Sequence, residues 1–178
     1  MKKITAILLA GLFALALAAC DGDSPTPTGN TPTQPTTGSA PGQSEIFFDP
    51  NGVKIIMGAA PAPVLEALGE PLKTLECKSC AQNAKDIDYN YTGFVLTVTY
   101  PERGEDYITS IQLTEDKYTT PGGITIKSTL EEVVAAWGTD YEEENGFYKY
   151  TQGLSILEFS IEGGLVEQIL YGYDFENT

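Results

Sequence analysis

The sequence predicts an α+β fold from residue 45 onward, built as two tandem repeats, each a short helix packed on an antiparallel sheet of about three to four strands. Three internal matches carry that expectation. APAPVLEALGEP (60–71) lies on TLEEVVAAWGTD (129–140), YNYTGFVLTVTY (89–100) lies on YKYTQGLSILEF (148–159), and YITSIQL (107–113) lies on LVEQILY (165–171). The first repeat is placed at 45–120 and the second at 121–178.

Each element follows from local patterning. In the second helical segment Leu130, Val133, Val134 and Trp137 recur at one-face helical spacing, and Ser128 with Glu131 has the spacing of a capping box. Gly69 and Gly138 stand where a helix ends in a left-handed residue, with Pro71 just past the first. Trp137 is expected under the sheet. The strands alternate: Phe94, Leu96, Val98 and Tyr100 share one face, Val95, Thr97 and Thr99 the other. PERGED, EGG and DPNG have the composition of turns, and VKIIM or GITIK supplies a short extended lead-in to each repeat.

Ahead of the repeats, Lys2 and Lys3 precede an apolar run from Ile4 to Leu17 and the small residues Ala18 and Ala19, the pattern of an export signal over residues 1–19. The sequence LAAC at its end resembles a bacterial lipobox, which implies acylation of Cys20 and a protein held at the cell membrane, facing outside the cytoplasm. Each buried methylene of such an anchor contributes roughly 0.8 kcal/mol. Residues 20–44 are rich in Pro, Thr, Gly and Ser, with no aliphatic side chain larger than alanine, and read as a disordered tether.

Taken in order, LAAC, the helix ends EALGEP and AAWGTD, the pairs YNY and YKY, and the closing strands resemble lipoproteins with two tandem β-lactamase-inhibitor-protein-like (SmpA/OmlA-like) repeats, notably those of Gram-positive gut bacteria with a threonine-rich tether. The resemblance covers the chain after Gly52 and implies a protein-binding platform. No pattern in the chain carries over a β-lactamase-contacting site.

Cys77 and Cys80 form a Cys-x-x-Cys in LECKSC. The stretch between helix and Tyr-x-Tyr strand, Gly69 to Tyr89, is twice as long as its counterpart Gly138 to Tyr148, so the cysteines are expected in a loop insertion. Outside the cytoplasm they are expected to form a local disulfide. Thiol-disulfide exchange would need a thiolate-stabilising setting and a βαβ frame, and Glu76 offsets Lys78. A metal would need two further ligands, which a chain with no histidine and no third cysteine in its folded part does not offer.

The absence of histidine also removes Ser-His-Asp and Cys-His catalysis. Asp86, Asp88, Glu102, Glu105 and Asp106 are the carboxylates that could run glycoside hydrolysis. DYEEEN (140–145) lacks the alternating oxygens and mid-loop glycine of a calcium loop and reads as a solvated charge run. The formal charge is −15, and losing Lys2 and Lys3 with the leader lowers it by two more. Such a surface argues against nucleic acid and suits a basic protein or divalent cations.

Tyr89 and Tyr91, with their counterparts Tyr148 and Tyr150, repeat at a spacing of two, so each pair projects on one sheet face: packed against the helices, or, on the face away from them, the candidate partner-binding patch. The expected function is that of a membrane-anchored extracytoplasmic binding or scaffold lipoprotein, non-enzymatic, with no cofactor or metal. Its partners would be an envelope or extracellular protein and, through acylated Cys20, the lipid bilayer. The alternatives are an inhibitor of an extracytoplasmic enzyme, acting through the loop ECKSCAQNAKD, and a thiol-disulfide or carbohydrate-active enzyme.

Overall fold

A computed structural model of the chain describes residues 45–79 and 83–175. The expected leader, the expected tether and acylation at Cys20, and Cys80 lie outside the described residues. Ten elements follow in order: α1 (Pro61–Leu68), β1 (Lys73–Lys78), β2 (Ala84–Tyr91), β3 (Phe94–Pro101), β4 (Tyr107–Leu113), α2 (Leu130–Trp137), β5 (Glu142–Glu144), β6 (Phe147–Gln152), β7 (Ser155–Glu162) and β8 (Leu165–Tyr173).

These strands form one antiparallel sheet in the order β1-β2-β3-β4-β8-β7-β6-β5. The expected α+β architecture of two tandem helix-on-sheet repeats is therefore corrected: the domain is one eight-stranded sheet, mostly β, with two short helices. The seam that overturns it joins β4 to β8, with Ser110 opposite Gly172, Ile111 opposite Tyr171 and Leu113 opposite Ile169. Helices of eight residues make about two turns and are marginal by themselves, so they cover parts of a shared sheet rather than close separate cores. The boundary drawn between residues 120 and 121 falls in the connection from β4 to α2.

The core lies on one face of the sheet. Leu96, Val98, Ile108, Ile111, Leu157, Phe159, Ile169 and Tyr171 are fully buried there, under Val133 and Trp137 of α2, Val64 of α1 and a non-helical strap carrying Ile46, Phe48, Ile55 and Met57. The strap doubles back at DPNG: Phe48 and Ile55 exchange backbone hydrogen bonds of 3.0 and 2.8 Å, Asp49 accepts from the Gly52 N–H, and Asn51 and Gly52 take positive φ. Phe48 then packs against Phe94, Tyr118 and Tyr171.

Two local expectations shift. The capping box of α2 is Thr129 with Glu132, one residue on from Ser128 and Glu131: the Thr129 hydroxyl accepts from the Glu132 N–H at 3.2 Å, and the Glu132 carboxylate accepts from the Thr129 N–H at 2.7 Å. The segment holding Cys77 is strand β1, not a loop, paired with β2 from Lys73 opposite Asn90 to Lys78 opposite Lys85. Its side chains are all exposed, so KTLECK carries no burial alternation to betray a strand. Among the described residues no helix is long and apolar enough to cross a membrane.

Candidate functional site

The four candidate tyrosines all sit on the helix-covered side, opposite core residues: Tyr89 faces Leu96, Tyr91 faces Phe94, Tyr148 faces Phe159 and Tyr150 faces Leu157. Tyr150 is 2% exposed. Tyr91 donates its hydroxyl to the Gly69 carbonyl at 3.2 Å, and Tyr150 donates to the Gly138 carbonyl at 3.0 Å, so each hydroxyl satisfies a carbonyl left open at a helix end. Tyr89 and Tyr100 share a hydrogen bond of 2.7 Å, and Tyr148 packs on Tyr141. Burial, with Tyr141 and Tyr148 adding to it, pushes the Tyr150 hydroxyl up to about 12.

Cys77 is exposed on the β1 edge, with its Sγ 3.9 Å from Asp88 Oδ2. Glu76 and Lys78, from the loop expected to enter a partner enzyme, are strand residues here, while Ala81 and Gln82 lie outside the described residues with Cys80. The catalytic carboxylate candidates divide between β2 and the β3–β4 turn. Asp86 accepts from the Thr99 hydroxyl at 2.6 Å and Asp88 from the Thr97 hydroxyl at 2.8 Å, while Glu102, Glu105 and Asp106 are exposed in the turn. Among the described residues no group of three or more His, Cys, Asp or Glu side chains is arranged to hold a metal.

Among the described residues the opposite sheet face carries neither helix nor strap. Cross-strand register puts Glu142, Lys149 and Glu158 in one row on it and Glu144, Phe147 and Ser160 in the next. A hollow of about 550 Å³ opens there, lined by Glu142, Glu143, Glu144, Phe147, Lys149 and Glu158. A second, of about 540 Å³, shares Glu142 and Lys149 and runs on past Ile156 to Tyr173 and Phe175. Phe147 is 42% exposed and Phe175, which packs on Tyr107 and Tyr173, is 52% exposed, so each hollow sets carboxylates beside an aromatic ring.

Lys149 reaches Glu142 at 2.5 Å, an exposed pair worth little to stability. Among the described residues the side chains of Glu144 and Glu158 make no hydrogen bond or ion pair, unlike Asp86 and Asp88 on the other half of the same face. Charged residues outnumber apolar ones around the hollow, which fits an extended cationic segment better than a small enclosed ligand. The charge run 142–144 is exposed throughout and forms strand β5. As a strand, Glu142 and Glu144 fall on one face with Phe147 and Lys149, and only the turn at Asn145 and Gly146, both with positive φ, signals it.

No family model, curated protein or solved structure matches this chain.

Proposed function

We propose that this is a lipid-anchored, extracytoplasmic, non-enzymatic binding protein whose bare sheet face takes a cationic extended segment of an envelope or extracellular protein. The observation that carries the reading is the acidic hollow at the β5–β7 end, where the Glu144 and Glu158 carboxylates have no partner among the described residues and lie beside an exposed Phe147. Carboxylates draw in Lys or Arg side chains, and the ring offers a face to a guanidinium or to an aliphatic stem. Anchoring is supported by LAAC, which ends at Cys20, and reach by the Pro/Thr-rich stretch that follows.

The net charge of −15 extends the attraction beyond the hollow and speeds encounter with a basic partner at low salt. Titration calorimetry with lysine- and arginine-rich extended peptides tests it. Binding is expected to weaken about tenfold when Glu142, Glu144 and Glu158 are all changed to Gln, taking roughly 0.5 kcal/mol per exposed charge. Unchanged binding in that variant, or equal binding of an acidic peptide, contradicts the reading.

A further inference from the structure

The two edges of the sheet differ in kind. β5 is three residues long and all glutamate, short and like-charged in the manner of an edge blunted against pairing. β1 has six residues, all exposed, with Leu75 42% and the preceding Leu72 75% exposed. Its hairpin with β2 sets Lys73, Lys78 and Lys85 against Glu76, Asp86 and Asp88, so it is locally neutral in an acidic molecule. A second copy meets no net repulsion there.

We propose that β1 pairs antiparallel with β1 of a second copy, about a twofold axis at Cys77. An axis perpendicular to the sheet keeps bare face beside bare face, so each possible axis passes through one residue and pairs its neighbours symmetrically. Axes at Lys73, Glu76 or Lys78 oppose like charges directly. An axis at Thr74 sets Glu76 against Leu72, and one at Leu75 sets Lys73 against Cys77 and Thr74 against Glu76, with no opposite-charge pair within β1 in either. The axis at Cys77 alone puts Glu76 opposite Lys78 twice over, with Leu75 opposite Ser79 and Cys77 facing its own copy. The strand that complements Glu-Cys-Lys in antiparallel register is the same strand, which selects a second copy over an unrelated protein. This interface is independent of the acidic hollow.

Cys77 is a built-in reporter of the register. The full chain carrying Cys80→Ser, expressed in bacteria and treated with diamide, is expected to give a disulfide-linked dimer on a non-reducing gel. One S–S bond forms between the two Cys77 thiols, and their two hydrogens pass to the diamide. Cys77→Ser in the same background should abolish the dimer, which separates it from any reaction of Cys20. Glu76→Lys or Lys78→Glu alone should lower the dimer about tenfold by turning two attractive pairs repulsive, and the two together should restore it. These side chains are exposed, so none of the variants disturbs the core. A chain that stays monomeric, a dimer indifferent to the single swaps, a double swap that fails to restore it, or a Cys77 adduct with another protein in place of the dimer overturns the proposal.

Discussion

The two halves of the sheet carry matching elements that are held to different degrees. α2 has a capping box, a buried Trp137 in its last turn, and a Tyr150 that is 2% exposed and bonded to Gly138. α1 starts at Ala60, whose side chain caps nothing, has a half-buried Leu68 where α2 has Trp137, and has a Tyr91 that is only half-buried against Gly69. The same backbone plan is thus fastened by packing and side-chain bonds in the second half and more by the Pro61 start and the strap in the first. The second half carries the open acidic hollow, so the proposed binding face rests on the better-fastened frame.

The sharpest way to break this contrast is at the paired helix positions. Trp137→Ala should cost about 3–5 kcal/mol by urea unfolding, because it empties a fully buried aromatic site, while Leu68→Ala should cost about 1 kcal/mol or less. Equal losses at the two positions would mean that the halves are equally fastened.

Alkali should act next. Burial raises the hydroxyls of Tyr91, Tyr100 and Tyr171 above the ordinary tyrosine value of 10, and Tyr150 reaches about 12. A group raised in the folded state contributes stability that is complete below its unfolded value and lost as pH rises through the folded one. The urea midpoint should therefore hold up to about pH 10 and fall between about 10 and 12, and Tyr150→Phe should blunt part of the fall.

Smaller effects separate the caps. Thr129→Ala should cost about 1 kcal/mol through loss of the capping box, whereas Ala60→Ser should gain about 0.5 kcal/mol by supplying α1 with a cap. At the seam between the halves, the Tyr171 hydroxyl is buried with no hydrogen-bond partner among the described residues, so Tyr171→Phe should raise stability by about 1 kcal/mol.

The elements with strong periodicity were legible in the sequence: the alternation of Phe94 to Tyr100, the helical face of Val133 and Trp137, and the closing glycines all locate real features. What escaped was set by long-range pairing. Nothing local to YITSIQL or LVEQILY announces that they hydrogen-bond to each other across the seam. β1 and β5 escaped because edge strands with exposed side chains lack the alternation that burial imposes. The tyrosine pairs were visible as a motif, but which face they take depends on where the helices and strap pack.

The most direct test of the bare face as a binding surface is amide chemical-shift mapping of the chain during titration with a lysine- and arginine-rich peptide. Shifts concentrated at Glu142 to Lys149 and at Glu158, with little change at Tyr89, Tyr91 or β1, are the predicted result. Shifts centred on the helix-covered side or on the β1 edge, with the hollow unmoved, would contradict it.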